Sequence, residues 1–240
     1  MGMKALALAG FLLGGAGDEH GGKVAWVRDP QFGLARAKVE GRPAMLFFSA
    51  DFCGMCKQLG ATAFSDDKVV AAAQRLIPIY VNSTRKGEYQ DLRTRYKIQA
   101  YPAVLYVDPD GNLLREMDNR DAAGILRDID AVTAKVPPRP TLWTISLAVA
   151  RDAGRKARKP VAVVVVDPKA DLAKFSAKLA KDLGDRKARF FWVLEPGPEP
   201  MVKVFDPAAE EPVVRIPIKE DDKPETLNKA LDEAARSLKK

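Results

Sequence analysis

The chain has 240 residues, of which 47% are hydrophobic, with a net charge of +7 and only two cysteines. This length suggests one or two domains, and the hydrophobic share is ordinary for a globular protein with a real core. The densest basic cluster, at 155–159, lacks the aromatic platforms or the motif that are typical of nucleic-acid binding. We interpret it as the solvated end of a helix and expect no nucleic-acid partner, although a basic surface favours acidic partners or anionic lipid.

The first residues predict a secretory signal peptide. Lys4 gives a short positive start, residues 5–16 are apolar and small, and residues 15–17 offer a cleavage site. We therefore interpret residues 1–22 as a signal peptide, or else as a disordered Gly-rich leader. The apolar stretch is too short to span a bilayer, and no other segment is suitable, so no stable membrane span is expected in the mature chain. The expected location is periplasmic or extracytoplasmic, which is an oxidising compartment.

The two cysteines lie close together, in the sequence Cys53-Gly54-Met55-Cys56. An apolar run at 44–48 precedes them, and this order predicts a buried strand, a short turn and a helix that begins at the first cysteine. A thiolate at a helix N-terminus is stabilised by the positive end of the helix dipole. Because the thiolate is the nucleophile in disulfide exchange, the pair indicates redox chemistry.

Three other interpretations of the pair are weaker. A structural zinc site needs about four ligands, and the chain offers the two cysteines and His20, which falls in the predicted leader. No metal and no cofactor are therefore expected. A purely structural disulfide would close a very short loop, which constrains the unfolded chain least. Inert buried thiols conflict with Asp51 and Lys57, because these charged neighbours indicate that the turn reaches solvent.

One sequence pattern occurs twice in the chain. Trp26 and Trp143 are each followed, at the same interval, by a basic residue and a proline and then by an apolar run that predicts a buried strand. The motif Pro-x-Val-x-x-x-Asp-Pro also recurs, at 102–109 and 200–207, and each copy ends in an amphipathic helix. Two copies indicate two domains of one fold. We assign them to 23–136 and 141–240, joined by a Pro-rich linker at 137–140.

The two copies differ at the redox pair. When the tryptophans are aligned, Ala170 and Ala173 fall opposite Cys53 and Cys56. The second copy also lacks a counterpart to residues 83–100. We therefore interpret it as a shortened domain without redox activity.

The order of predicted elements in the first copy resembles the thioredoxin fold. It begins with a strand and with Cys-x-x-Cys at a helix start, and it continues with a further helix, a strand and a strand that starts with proline. Residues 48–57 resemble a thioredoxin active-site segment, and residues 62–69 are similar to the periplasmic thioredoxin-like domain of bacterial transmembrane disulfide reductases. Tyr101-Pro102 matches the cis-proline position of that family. The resemblance covers residues 24–135. Together with the repeat, it implies an α/β protein of two thioredoxin-like domains, each with a central mixed β-sheet flanked by helices.

The resemblance implies that the chain is a protein thiol–disulfide oxidoreductase. Cys53 would attack a substrate disulfide, and Cys56 would then attack the Cys53 sulfur and release the reduced substrate. A cis Pro102 would bring backbone close to the thiols, and the peptide groups of Tyr101 would pair with an extended substrate segment. Further candidate substrate-binding or auxiliary residues surround the pair: Asp51, Phe52, Gly54, Met55 and Lys57.

One position departs from the family pattern. Many thioredoxins carry a buried aspartate six residues before the attacking cysteine, where this chain has Phe47. The proton of the resolving cysteine must therefore go elsewhere, to water or to Asp51. We expect exchange to proceed with a pH dependence different from that of thioredoxin.

The leading functional hypothesis is exchange of disulfides with protein substrates, in the reductase direction, with an upstream redox partner that supplies electrons. The second domain would hold or orient the substrate. The alternative is a substrate-binding or chaperone-like module in which the disulfide is incidental. Peroxidase chemistry would need a dedicated peroxide pocket, for which the sequence has no motif.

Overall fold

The computed structural model describes residues 20–84, 89–137, 142–144, 146–218 and 222–238. Residues 1–19 of the predicted leader and residues 138–140 of the predicted linker therefore lie outside the described residues. Within the described part of the chain, no helix has the length and apolar character needed to cross a membrane.

The first half of the chain forms a four-stranded sheet of order β2-β1-β3-β4. Strands β1 and β2 are parallel, whereas β3 is antiparallel to both β1 and β4. The strands are β1 (Ala44–Ser49), β2 (Ile77–Asn82), β3 (Ala103–Val107) and β4 (Leu113–Glu116). The helices are α1 (Pro30–Glu40), α2 (Gly54–Ala61), α3 (Asp67–Ala73), α4 (Gln90–Arg95) and α5 (Ala122–Lys135).

The second half repeats this topology, with the sheet order β6-β5-β7-β8 and the same strand directions. Its strands are β5 (Val161–Val166), β6 (Phe191–Pro196), β7 (Met201–Phe205) and β8 (Val214–Pro217), and its helices are α6 (Leu147–Ala157), α7 (Leu172–Leu183) and α8 (Pro224–Ser237). The predicted fold of two thioredoxin-like α/β domains is confirmed. Strand β6 passes directly to β7 without a helix, so the second copy is shortened as predicted.

The central strand β1 is buried along its whole length, as its continuous apolar run requires. Successive side chains point to opposite faces of the sheet. Met45 and Phe47 belong to one hydrophobic cluster, which also contains both cysteines. Leu46 and Phe48 belong to the other cluster, which continues into the second domain and includes Trp192. The two domains thus share a core cluster, and α1 packs against α7.

The repeated basic-Pro pair has the same structural role in both domains. The buried guanidinium of Arg42 donates hydrogen bonds to the carbonyls of Gln74 and Leu76, in the turn that precedes β2. The ammonium of Lys159 donates to the carbonyl of Ala188, before β6, at 2.9 Å. In each domain the basic side chain joins the start of the central strand to the start of its parallel neighbour.

The boundary of the leader differs from the prediction. We expected residues 1–22 to lie outside the fold, but His20, Gly21 and Gly22 pack against the first domain. Trp26 donates a hydrogen bond from its indole to the Gly21 carbonyl at 2.7 Å, and His20 is only 4% exposed. Gly22 has a φ of 60°, and a Cβ there would overlap the Gly60 carbonyl oxygen. Gly22 therefore allows a close approach of the chain to α2, and Gly21 allows a close approach to the Trp26 ring.

Candidate active site

Cys53 and Cys56 form a disulfide with an S–S distance of 2.05 Å. Cys53 is the N-cap of α2, and Cys56 lies in its first turn. Cys53 is 7% exposed whereas Cys56 is completely buried, although their neighbours Gly54, Met55 and Lys57 are all exposed. The pair therefore lies just under the surface, and an incoming molecule has access only to the Cys53 sulfur.

The N-cap position gives the Cys53 sulfur a hydrogen-bond donor. The backbone N–H of Cys56 donates to Cys53 Sγ at 3.1 Å. This donor belongs to the first turn of a helix, where the unpaired N–H groups and the helix dipole favour negative charge. A thiolate formed on Cys53 by reduction would therefore be stabilised at this place.

The second domain has a carboxylate in the corresponding place. Asp171 is the N-cap of α7, and its Oδ1 accepts a hydrogen bond from the N–H of Lys174 at 3.0 Å. This corrects the prediction that Ala170 and Ala173 occupy the redox positions, because the loop between β5 and α7 is one residue longer than the loop before α2. The same site in the fold thus holds an anion in one domain and the reactive sulfur in the other.

The loop before β3 borders the disulfide. The Tyr101–Pro102 peptide bond is cis, as the resemblance implies, whereas the Glu199–Pro200 bond at the matching place of the second domain is not. Ala103, the first residue of β3, pairs with Phe48 near the end of β1. Because the cysteine loop leaves from that end of β1, Pro102 lies at the same edge of the sheet as the disulfide.

The surface beside the disulfide is apolar. Phe52 is 78% exposed and Met55 is 49% exposed, so neither side chain is packed in the hydrophobic core. The ring of Phe52 meets that of Tyr101 edge-on, with 6.5 Å between the ring centroids. Exposed aromatic and methionine side chains are typical of surfaces that bind other proteins. We call Phe52, Met55 and Tyr101 the apolar rim.

Two arginines that the sequence analysis did not select contact the apolar rim. Arg120 donates from Nη1 to the Met55 sulfur at 3.5 Å. The guanidinium carbon of Arg93 lies 5.7 Å from the centre of the Tyr101 ring. No motif marks either residue, because they come from α4 and from the segment before α5 and meet the rim only in the folded chain.

Asp51 is exposed and belongs to the framework of the cysteine loop. Its Oδ1 accepts a hydrogen bond from Asn82 Nδ2 at 2.8 Å, and its backbone N–H donates to Thr84 Oγ1 at 2.6 Å. These bonds fix the loop to the end of β2. The carboxylate is therefore held at the surface.

The place of the missing aspartate is filled by aromatic packing. Phe47 is buried among Trp26, Phe64 and Tyr80, with ring centroids 5.0–5.5 Å from it. A polar group near this end of β1 comes instead from His20, whose Nδ1 lies 2.8 Å from the buried hydroxyl of Ser49. Ser49 is the last residue of β1, directly before the cysteine loop. No motif marks His20 as part of this site, and the sequence analysis places it in the leader.

The charged side chains of the described residues do not form a metal centre. No group of three or more His, Cys, Asp or Glu residues in this part of the chain is arranged to hold a metal ion. Both cysteine sulfurs are bonded to each other.

In a comparison with known protein families, residues 32–119 match the model of a thioredoxin-like domain. The thiol:disulfide interchange protein DsbD of Yersinia pestis (strain Pestoides F) is 29% identical over 109 residues, which is 44% of this chain and 18% of that protein. DsbD of Ralstonia nicotianae is 31% identical over 91 residues, 38% of this chain and 15% of that protein. The chain thus spans less than a fifth of the length of these relatives.

Two solved structures are also similar to the chain. A thioredoxin from Thermus thermophilus is 24% identical, with a TM-score of 0.42, and the match covers 48% of this chain and 90% of that one. The C-terminal domain of Neisseria meningitidis DsbD in the reduced form is 25% identical, with a TM-score of 0.36. That match covers 42% of this chain and 90% of the DsbD domain.

Proposed function

Residues 32–119 form a thioredoxin-like domain, and from this premise we propose that the chain exchanges disulfides with protein substrates through Cys53 and Cys56. One observation carries the proposal. Cys53, whose sulfur is the accessible one of the pair, is the N-cap of α2, and its sulfur accepts a hydrogen bond from a backbone N–H of that helix. The apolar rim beside it supports a protein as the substrate, because a small disulfide would need no such surface.

The reaction runs in two thiol–disulfide exchanges. In the reduced protein, the Cys53 thiolate attacks one sulfur of the substrate disulfide, the substrate S–S bond breaks and the other substrate sulfur leaves as a thiolate. Cys56 then loses its proton and attacks Cys53 Sγ, which re-forms the Cys53–Cys56 bond and releases the second substrate thiolate. Two electrons pass to the substrate. A dithiol from an upstream redox partner must reduce the pair before the next cycle.

We propose the reductase direction and a location outside the cytoplasm, both by similarity to DsbD. The direction depends on the redox potential of the pair in equilibrium with glutathione. A potential near about −270 mV would support a reducing role, and one near about −120 mV would reverse the assignment.

Reduction of insulin by the full chain tests the activity. With dithiothreitol as the electron source, the protein should accelerate precipitation of the insulin B chain, and Cys53→Ser should abolish the acceleration. Activity that survives Cys53→Ser would refute the proposal, and so would a wild-type protein that gives no acceleration.

The proposed role of the second domain is to hold the substrate or the first domain in place. Its α7 carries Asp171 and Lys174 where the redox pair would be, and its sheet shares a hydrophobic cluster with the first domain. These observations support a structural or binding role without thiol chemistry.

A further inference from the structure

Two arginines contact different residues of the apolar rim. Arg120 contacts Met55, which lies between the two cysteines in sequence. Arg93 lies against the face of Tyr101, whose ring meets that of Phe52. The apolar rim is therefore contacted by two guanidinium groups, one at Met55 and one at Tyr101.

Neither guanidinium is neutralised within the described part of the chain. Arg93 Nε is buried without a hydrogen-bond partner there, and the polar contact of Arg120 is the uncharged sulfur of Met55. Other arginines of this domain are paired: Arg75 with Asp130 and Arg115 with Asp128. Arginines left without a carboxylate beside a binding surface are available to a ligand.

The nearby acidic side chain does not cancel the positive charge of these two arginines. Asp51 is the acidic neighbour, and the amide of Asn82 already binds its carboxylate. Among the described residues, Arg93 and Arg120 thus give this surface two guanidinium groups that no carboxylate pairs, so the local field favours an anionic group.

The groove next to Pro102 gives room for a peptide segment. It has a volume of about 380 Å³ and is lined by Pro102 and Arg120 among others. Its charged lining also includes Lys97, Glu116 and Asp118, of which Asp118 is bound by Arg115 at 2.5 Å. Arg120 lines this groove and also contacts Met55 of the apolar rim.

We propose that the segment this site recognises carries an acidic side chain beside its reactive cysteine. The carboxylate would bind Arg120 or Arg93, because a guanidinium matches the planar geometry of a carboxylate with two parallel N–H groups. An apolar neighbour in the same segment would pack on the rim formed by Phe52, Met55 and Tyr101. This inference rests on the proposed function and adds the class of substrate sequence that the site prefers.

The test uses three synthetic peptides of one sequence, which differ only in the residues that flank a single cysteine: Glu, Gln or Lys. Each peptide carries a mixed disulfide with mercaptoethanol, which adds no charge. Because a flanking charge changes the intrinsic reactivity of the disulfide, each kcat/KM is divided by the rate constant of the same peptide with dithiothreitol. The normalised Glu-to-Lys ratio measures recognition by the protein alone.

For the wild-type chain, we expect a normalised Glu-to-Lys ratio of about tenfold, which corresponds to about 1.4 kcal/mol. Arg120→Glu should bring the ratio below one. Arg93→Gln should lower it by a smaller factor, because this change removes a charge without reversing it. The matched control is Arg215→Glu on β8 of the second domain, an exposed arginine whose reversal changes the net charge equally. It should leave the ratio unchanged.

Equal rates for the three peptides would overturn the inference and leave the proposed exchange activity intact. An equal fall of the ratio in Arg120→Glu and Arg215→Glu would also overturn it, because the preference would then come from the net charge of the chain. Failure to reduce any of the peptides would instead remove the proposed function itself.

Discussion

The two cysteines have different environments, and the proposed roles rest on this difference. Cys53 reaches the surface and receives a helix N–H, whereas Cys56 is completely buried one turn into α2. Asp171 at the same place in the second domain indicates that this N-cap accommodates negative charge. In the proposed exchange, the attacking thiolate is therefore Cys53 and the resolving thiol is Cys56.

Alkylation of the reduced protein should separate the two thiols. Treated with one equivalent of iodoacetamide at pH 7, Cys53 should be modified first, because it is both accessible and stabilised as a thiolate. We expect its rate to exceed that of Cys56 by about tenfold or more. Peptide mapping by mass spectrometry identifies the modified residue. Preferential modification of Cys56 would contradict the assignment of roles.

The placement of Gly22 against α2 also makes a prediction for a single residue. Gly22→Ala should lower the free energy of unfolding by about 2 kcal/mol or more, because the positive φ and the contact with the Gly60 carbonyl both exclude a Cβ. Urea unfolding followed by tryptophan fluorescence measures the change. The matched control is Gly54→Ala, where a Cβ would meet no atom within 4 Å.

The control should change the free energy of unfolding by less than about 1 kcal/mol. If Gly22→Ala proved as neutral as Gly54→Ala, residues 20–22 would belong to the leader after all, and the boundary predicted from the sequence would stand.

At the scale of the elements, a basic side chain holds the start of each central strand, β1 and β5. The environments of these two side chains differ. Arg42 is buried with the carboxylate of Glu40, at 2.9 Å, whereas Lys159 is exposed. Burial lowers the pKa of Arg42, and the nearby Glu40 carboxylate opposes that shift. A buried charge of this kind is tolerated only because it is paired and hydrogen-bonded.

Arg42→Ala should therefore lower the free energy of unfolding much more than Lys159→Ala does. Loss of the guanidinium leaves the buried carboxylate of Glu40 with one partner fewer, for which we expect about 3–5 kcal/mol in the free energy of unfolding. Lys159→Ala removes one exposed hydrogen bond to a carbonyl and should cost less than about 1 kcal/mol. Urea unfolding compares the two variants. Similar losses would show that the burial of Arg42 and its pairing with Glu40 add nothing to its contribution.

Local patterns in the sequence predicted the elements well. The buried run before Cys53, the start of α2 and the repeat of the whole domain were all visible, because strand and helix periodicity and N-cap chemistry depend on neighbouring residues. The one-residue insertion that puts Asp171, and not Ala170, at the N-cap was not visible, because the second copy has no motif across that loop to fix the alignment.

Contacts between distant segments could not be predicted in the same way. Arg93, Arg120 and His20 reach the site from α4, from the segment before α5 and from the chain before α1. None of them has a neighbour in sequence that indicates a role. Their positions follow from the tertiary fold, which a single sequence does not specify at the level of side chains.

In the whole molecule, the two domains are joined by more than a linker. One hydrophobic cluster contains Leu46 and Phe48 of the first sheet and Trp192 of the second, and Leu34 of α1 and Phe175 of α7 pack against it. A core that crosses the boundary makes the unfolding of one domain expose apolar surface of the other. The two domains should therefore unfold together.

Differential scanning calorimetry tests this coupling. The wild-type chain should show one transition, and Phe175→Asp should lower the melting temperature by about 4 °C or more and separate two transitions, because it introduces a charge into the shared cluster. The matched control on the same helix is Ala177→Asp, at an exposed position. Two transitions in the wild-type protein would contradict a shared core.

The central claim, that Cys53 exchanges disulfides with a protein substrate and Cys56 resolves the intermediate, is tested most directly by capturing that intermediate. Reduced Cys56→Ser protein should form a covalent complex with insulin, visible on a non-reducing gel, and mass spectrometry should find the mixed disulfide on Cys53. A Cys56→Ser protein that forms no complex, while Cys53→Ser forms one through Cys56, would contradict the account.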